Sequence, residues 1–148
     1  MLYGVSIESI VGSTALMVDS IEFDSRKINQ GALFVAQKGV ASDGHDFIAN
    51  AILNGAVVVV CERLPKTCQT GIVYVVVPNA SEALGLIAAN FYNHPSHKLT
   101  LIGVTGTNGK TTIASLLFDL FSGLGYSCGL ISTVKITYHK KQWDSSHT

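Results

Sequence analysis

The hydrophobic positions of this chain fall into runs of two kinds, and the first kind predicts β-strands. Two runs, AVVVVC and GIVYVVVP, are continuously apolar and rich in β-branched residues, which is typical of strands buried on both faces of a parallel sheet. Two earlier runs, LMVDSIEF and ALFVAQ, alternate more loosely and also favour strands. In chain order the four predicted strands cover residues 16–23, 32–37, 56–61 and 71–78.

Three other stretches switch to the spacing of an amphipathic helix. The first can be capped by Ser42 or Asp43 and ends at Gly55, and the second begins at a capping box formed by Asn79 and Glu82. The third places its apolar residues at i, i+3, i+4, i+7, i+8 and i+11, namely Ile113, Leu116, Leu117, Leu120, Phe121 and Leu124. This succession of strands and helices predicts an α/β fold, and we expect its first part to be Rossmann-like.

A short polar segment interrupted by proline, residues 94–98, predicts a boundary between two domains, 1–97 and 98–148. We expect no helix at the boundary itself, beside Pro95. After it, the runs LTLIGV, CGLIST and VKITYH predict strands around the third helix, and the polar segment KKQWDSSHT predicts no further element. Because a nucleotide-binding domain normally needs a sheet of several strands, we expect the second domain to be incomplete in this chain.

Composition argues against several classes of protein. Lysine plus arginine and aspartate plus glutamate each number 10, so no basic surface for nucleic acid or anionic lipid is predicted. No apolar run reaches the roughly 18 residues of a membrane span, and no secretory leader is recognisable. We therefore expect a cytoplasmic protein without membrane insertion, and no obligate protein partner is evident. The three cysteines, Cys61, Cys68 and Cys128, lack the spacing of a disulfide framework or a zinc site.

Residues 103–112, GVTGTNGKTT, stand between a predicted strand and the third helix and have the composition of a phosphate-binding loop. Glycines let backbone N–H groups turn toward an anion, and the helix N-terminus adds its dipole. Lys110 would reach the β and γ phosphates of ATP, and the Thr111 hydroxyl would be a ligand of Mg²⁺. The strict pattern GxxxxGK[ST] fails at Val104, five residues before Gly109. A tight Asn-Gly turn with an incidental lysine is the alternative, which the four-turn helix behind it disfavours.

Two weaker motifs stand in the first domain. The segment DSR at 24–26 is by itself best explained as a turn or cap with its arginine in solvent. The segment DGHDF at 43–47 is best explained as the start of a helix, in which His45 would be an ordinary surface histidine. Their order along the chain, together with G-x-LFVA and the phosphate loop, is more informative than either motif alone.

The order DSR, G-x-LFVA, DGHDFI, A-x-x-x-GA-x-x-VV and GVTGTNGKTT resembles the N-terminal part of a Mur ligase over essentially the whole chain. The resemblance is strongest to the MurE type, which adds an amino acid to UDP-N-acetylmuramoyl-dipeptide. The MurF type shares the DSR and DGH segments, whereas folylpolyglutamate synthetases share only the loop. The resemblance implies an ATP- and Mg²⁺-dependent ligase of peptidoglycan biosynthesis with a P-loop ATPase domain. In such enzymes the substrate carboxylate is phosphorylated, and an amine attacks the acyl phosphate.

The resemblance also implies site residues. Contacts to the UDP moiety would come from Phe23, Ser25, Val40, Ala41 and Ser42, and Val40 and Ala41 would contribute backbone groups only. The ATP loop would consist of Gly106, Thr107, Asn108, Gly109, Lys110, Thr111 and Thr112, with Lys110 as its catalytic residue. Thr148 would be the first of two threonines near the muramoyl-peptide. Because the family's remaining ATP and amino-acid contacts would lie beyond Thr148, we expect this chain alone to be inactive as a ligase.

Two hypotheses from other classes stay open. One is a stand-alone UDP-sugar-binding module, which protease resistance of residues 98–148 in a monomer would favour. The other is a P-loop NTPase unrelated to cell-wall synthesis, which nucleotide hydrolysis without any UDP ligand would favour. The residues present do not indicate which amino acid a ligase of this type would add.

Overall fold

The computed structural model describes residues 1–39, 42–139 and 141–145, and the chain divides into two compact units, Met1–Leu99 and Thr100–Thr148. The strands of the first unit are β1 Ser9–Val11, β2 Ser20–Glu22, β3 Ala32–Val35, β4 Ala56–Cys61 and β5 Val73–Val76, and its helices are α1 Ile48–Leu53 and α2 Ala80–Phe91. The second unit contains α3 Lys110–Gly123, β6 Gly129–Ile131, β7 Lys135–Tyr138 and β8 Lys141–Asp144. Short 3₁₀ helices cover Gly44–Phe47 and Pro95–Lys98.

The first unit is built on a five-stranded sheet in the order β1-β5-β4-β3-β2. The strands from β2 to β5 are parallel, and every residue of β3, β4 and β5 except the partly buried Val57 is buried, as the continuous apolar runs predict. The sequence pattern does not predict β1, because its three exposed residues are too few to show a period. β1 joins the sheet antiparallel to β5. The predicted α/β architecture with a parallel sheet is confirmed for this unit.

Side chains of this sheet alternate between two faces, and each face packs against one helix. One face buries Phe34, Val59 and Tyr74 with Ile48 and Ala51 of α1. The other buries Leu33, Val60 and Val75 with Ala83 and Ile87 of α2. Cys61, at the end of β4, belongs to the first of these clusters, and burial raises the pKa of its thiol to about 11. The thiol is therefore protonated at neutral pH and packs as a small apolar group.

The helices of the first unit begin and end at residues that the sequence marks. The Asp43 carboxylate accepts the His45 N–H at the start of the first 3₁₀ helix, and the Asn79 side chain accepts the Glu82 N–H at the start of α2. Gly55 has a φ of 112°, which glycine adopts without strain, and it turns the chain from α1 into β4. Both predicted caps and the predicted stop are confirmed.

The second unit combines α3 with an antiparallel meander, β6-β7-β8. The predicted strands CGLIST and VKITYH are confirmed as β6 and β7. The expectation of no further element is wrong, because the polar residues KQWD form β8 and pair with β7. Strand pairing uses backbone groups, which every residue here supplies, so polar composition concealed this strand. Among the described residues no helix is long and apolar enough to span a membrane.

Two expectations about residues 94–104 are also wrong. A 3₁₀ helix begins at Pro95, where none was expected; proline is tolerated in a first helical turn because an N–H there would have no partner. The run LTLIGV is not a strand, and its Leu101 and Ile102 are 71% and 58% exposed. An apolar run becomes a strand only where a neighbouring strand satisfies its backbone groups, and no described strand pairs with this one.

Candidate functional site

The carboxyl ends of the parallel strands bring several predicted site residues to one edge of the first unit. Phe23 and Ser25 follow β2, and Ser42 lies in the segment that follows β3. Segments that leave parallel strands at this edge form the usual ligand crevice of open α/β sheets. Val40 and Ala41, the other two predicted contacts of the UDP moiety, lie outside the described residues, as does Thr148. The topology thus collects three of the five predicted UDP contacts at a suitable edge.

The DSR segment forms a self-contained turn. The Arg26 guanidinium donates two hydrogen bonds to the Asp24 carboxylate, at 2.9 and 2.8 Å, and the Arg26 N–H donates a third at 3.0 Å. The side-chain bonds above all, with the charge of Arg26, lower the pKa of Asp24 to about 2. Ser25 between them is 7% exposed, and its carbonyl accepts a hydrogen bond from the Asn54 side chain at 2.9 Å. Asp24 and Arg26 thus form a turn with the arginine in solvent, as the simple interpretation of this motif predicts.

Residues 37–39 and 42–44, which we call the edge loop, are joined by backbone hydrogen bonds. The Gly39 N–H donates to the Ser42 carbonyl at 2.9 Å, and the Gly44 N–H donates to the Gln37 carbonyl at 2.7 Å. A Cβ at Gly44 would lie 2.5 Å from the Gln37 carbonyl oxygen, so only glycine fits there. These bonds hold Ser42 next to the backbone that follows β3.

His45 is not the ordinary surface histidine that the motif suggested. Its side chain is 5% exposed, and Nδ1 lies 2.6 Å from Oδ1 of Asp43. Its Nε2 accepts the Glu62 N–H at 3.0 Å, so the ring proton lies on Nδ1 and is donated to Asp43. An aspartate–histidine pair with a free Nε2 would be a candidate general base. Here Nε2 is occupied and buried, and the pair cannot serve that role without breaking this bond.

Asp43, His45, Glu62 and Arg63 together form a group that we call the edge network. Arg63 donates to Asp43 Oδ2 at 2.7 Å, and Glu62 Oε1 accepts the Ala80 N–H at the start of α2 at 3.0 Å. The His45 N–H and ring, followed by Arg63, lower the pKa of Asp43 far below its usual range. Sequence reasoning missed this network, although the charged pair Glu62-Arg63 directly after the apolar run of β4 was a signal.

In the predicted phosphate-binding loop of the second unit, the lysine side chain folds back onto the backbone of the loop. Lys110 Nζ donates to the Gly106 carbonyl at 2.6 Å and to the Thr107 carbonyl at 3.2 Å. Gly106 and Gly109 have φ values of 147° and 75°, in the region that favours glycine. A Cβ at Gly109 would meet nothing within 4 Å, so this glycine serves the turn of the backbone and not a tight fit.

The N-terminus of α3 carries no side-chain cap. Gly109 stands at the cap position, the first turn holds no acidic residue, and the Ile113 N–H makes the first intrahelical bond, to Gly109. The N–H groups of Lys110, Thr111 and Thr112 have no partner within the helix. Open N–H groups, a lysine ammonium and a threonine hydroxyl are suited to a polyphosphate. No group of three metal-ligating side chains occurs in the part of the chain that the structure describes.

Comparison with sequence profiles of known families identifies the family of this chain. A sequence profile described as "Mur ligase family, catalytic domain" matches residues 17–92. This match lies within the first unit and spans its strands β2 to β5 and both of its helices. The chain belongs to the Mur ligase family.

Similar proteins of known name fall within this family. A UDP-N-acetylmuramoyl-L-alanyl-D-glutamate--2,6-diaminopimelate ligase of Cytophaga hutchinsonii is 50% identical over 100% of this chain and 31% of its own length. The protein of the same name from Phocaeicola vulgatus is 43% identical, again over 100% of this chain and 31% of its own length. The chain therefore spans about a third of the length of the relatives it matches.

Solved structures of Mur ligases have a similar fold. Crystal structure I of MurF from Acinetobacter baumannii is 34% identical with a TM-score of 0.56, covering 72% of this chain and 23% of that one. MurF of Thermotoga maritima in complex with ADP is 32% identical with a TM-score of 0.56, covering 75% and 25%. A 2,6-diaminopimelate ligase structure has a TM-score of 0.61 at 24% identity and supports the fold alone.

Proposed function

We propose that this chain is part of an ATP-dependent ligase that joins an amino acid to UDP-N-acetylmuramoyl-dipeptide in peptidoglycan biosynthesis. Residues 1–97 form its UDP-substrate domain, and residues 98–148 form the start of its ATP-binding domain. The observation that carries the proposal is the uncapped N-terminus of α3 behind a glycine loop on which Lys110 folds back. Relatives named as 2,6-diaminopimelate ligases support the reaction class. We place the reaction in the cytoplasm, where ATP is available.

On the substrate side, the edge loop and the DSR turn bind the UDP moiety. Phe23, 37% exposed, offers an apolar surface to the uracil ring. Ser25 and Ser42 supply hydroxyl and backbone groups, and Val40 and Ala41 supply backbone groups only. At the starts of the Gly44–Phe47 helix and of α2, Asp43, Asn79 and Glu62 already accept N–H groups, so the diphosphate would bind through the loop groups.

On the nucleotide side, the loop Gly106 to Thr112 binds the phosphates of ATP. N–H groups at the start of α3 and the Lys110 ammonium offset the negative charge, and Lys110 exchanges its two carbonyl partners for phosphate oxygens. The Thr111 hydroxyl contributes one ligand to Mg²⁺, which usually keeps several waters and binds through phosphate. ATP, when bound, supplies the phosphoryl group that activates the substrate carboxylate for attack by the amine.

The names of the relatives favour 2,6-diaminopimelate as the added amino acid. A MurF-type reaction is the second candidate, because MurF structures match the fold at 32% and 34% identity. The two candidate reactions differ in the peptide on the UDP substrate and in the amine that is joined to it. Turnover assays of the full-length enzyme with each substrate pair distinguish them.

Calorimetric titration of this chain with UDP-N-acetylmuramoyl-dipeptide, and separately with Mg-ATP, tests the two halves of the proposal. We expect the UDP compound to bind and ATP to bind weakly or not at all. Absence of UDP-compound binding, both here and in a longer chain, would contradict the assignment of the first unit.

Lys110→Ala tests the nucleotide half in the full-length enzyme. We expect this variant to lose turnover and to keep its affinity for the UDP compound, because the proposed ligand contacts of this lysine are phosphates of ATP and no part of the UDP compound. Lys98→Ala, outside the loop, serves as the control and should keep turnover. Turnover of Lys110→Ala close to that of wild type would exclude the phosphate role.

A further inference from the structure

We propose that His45 is a positioning residue of the UDP-substrate site, acting through the edge loop. The inference rests on the proposed role of the first unit as the UDP-substrate domain. His45 touches no predicted substrate contact in the described structure; it holds Asp43, next to Ser42, against the end of β4. Its effect on binding is therefore indirect.

The hydrogen bonds within the edge loop join its described residues only to one another. The bonds between Gly39 and Ser42 and between Gly44 and Gln37 close the loop on itself. They do not connect it to the neighbouring strand β4. His45 makes the buried connection, since its ring spans from the Asp43 carboxylate to the Glu62 N–H, and Arg63, whose side chain is 62% exposed, adds a second one through Asp43.

The hydrogen bonds of the imidazole have a fixed direction. Nε2 accepts from a backbone N–H, which cannot reverse its role, so Nδ1 is the donor to Asp43. Asp43 in turn accepts from Arg63 on its second oxygen. At 5% exposure, water does not replace a lost bond readily, and the Glu62 N–H would be left without its partner.

The edge network also reaches the start of α2. The Glu62 side chain accepts the first N–H of α2, at Ala80, while its backbone N–H binds His45. Three segments that leave the sheet at this edge, after β3, β4 and β5, are thus joined through one imidazole and one carboxylate. A loop held at this point binds a ligand without first being ordered, which lowers the entropic cost of binding.

Two substitutions separate hydrogen bonding from packing. His45→Phe fills a similar space without either hydrogen bond, whereas His45→Gln keeps an acceptor that can reach the Glu62 N–H. His97→Phe, at an exposed position in the Pro95–Lys98 turn, is the matched control. The readouts are calorimetric affinity of this chain for UDP-N-acetylmuramoyl-dipeptide and amide hydrogen exchange of Glu62 measured by NMR.

We expect His45→Phe to weaken binding of the UDP compound about tenfold or more, the size of one lost buried hydrogen bond. His45→Gln should stay within about threefold of wild type, and the control should be unchanged. Glu62 exchange should accelerate in His45→Phe and stay slow in His45→Gln. If His45→Phe fails to fold, His45→Asn replaces it, because its amide can face Asp43 but is too short for the Glu62 N–H.

Equal weakening by His45→Phe and His45→Gln would overturn the inference, since packing alone would then explain the effect. Unchanged affinity in His45→Phe despite fast Glu62 exchange would overturn it as well, and would leave the UDP-binding function intact. A wild-type chain that does not bind the UDP compound would overturn the proposed function and this inference together. Slow Glu62 exchange in that case would still show that the hydrogen bond is purely structural.

Discussion

Helix N-termini in the two units differ in what satisfies their free N–H groups. In the first unit Asp43 accepts an N–H at the start of the 3₁₀ helix, and Asn79 and Glu62 accept N–H groups at the start of α2. In the second unit α3 starts after Gly109, which has no side chain to offer, and its first turn contains no acidic residue. Side chains therefore occupy N–H groups at these two helix starts of the first unit, whereas no side chain caps the start of α3.

This difference indicates how each unit can recognise phosphate. A carboxylate that already accepts a helix N–H also places its negative charge where a phosphate would go, so the diphosphate of the proposed substrate would bind the first unit through loop groups. At α3, no acidic side chain among the described residues caps the first N–H groups or pairs with Lys110. A glycine cap costs the helix part of the stability that a serine or aspartate would give, and leaves the site free.

The two units also differ in how deeply their apolar residues are buried. Ile87 of α2 is fully buried, while Ile113 of α3 is 49% exposed. We expect Ile87→Ala to reduce the free energy of unfolding of the first unit by about 2–5 kcal/mol, because it leaves a cavity in the α2 face of the core. Ile113→Ala, the matched control, should change the stability of the second unit by no more than about 0.5 kcal/mol. Urea unfolding measures the change in each variant, and hydrogen exchange of β4 amides reports on the first unit.

Equal losses in the two variants would contradict this comparison. They would mean that the apolar face of α3 packs as tightly as that of α2 in solution.

The fold of the first unit could be largely predicted because its strands are long apolar runs buried on both faces. The parallel sheet, both caps and the stop at Gly55 follow from local signals of this kind. β1 and β8 could not be predicted, since three and four exposed residues pair through their backbone and show no pattern. The expected strand at 99–104 fails for the opposite reason, because an apolar pattern without a neighbouring strand has nothing to pair with.

The candidate sites also divide into a part that local sequence predicts and a part that it does not. Glycine spacing predicts the turn that leads into α3, because the positive φ values of Gly106 and Gly109 depend on local sequence, and the phosphate-binding role of this loop stays a prediction. The edge network could not be predicted, because it joins Asp43 to residues about twenty positions away through side-chain distances that no local pattern encodes.

Substitution of one glycine in each unit provides the second test of the comparison. Gly44→Asn should destabilise the first unit by about 1–3 kcal/mol, because any Cβ there overlaps the Gln37 backbone. Gly109→Asn should cost well under about 1 kcal/mol, since asparagine tolerates a φ of 75° and its Cβ meets open space. Thermal unfolding of each variant gives the two values. A larger loss in Gly109→Asn than in Gly44→Asn would mean that the loop is packed more tightly than the edge.

The smallest expected effect concerns the acid stability of the DSR turn. Hydrogen bonds from Arg26 lower the pKa of Asp24 from 3.8 to about 2, so folding favours the ionised carboxylate. The resulting stabilisation is complete above the unfolded pKa and disappears as the pH falls from about 4 through 2. Because the Arg26 side chain is 85% exposed, solvent screening keeps its contribution small.

Asp24→Asn isolates this contribution, because asparagine can still accept the Arg26 N–H of the turn but does not titrate. The stability difference between wild type and Asp24→Asn should therefore shrink as the pH is lowered from 5 to 2. Arg26→Gln should remove the same part of the pH dependence, while Asp43, whose pKa is also lowered, continues to titrate in both variants. A difference that stays constant across this range would mean that the turn is held by its backbone hydrogen bonds. The charge of Arg26 would then be free to act on a bound diphosphate at the same edge of the sheet.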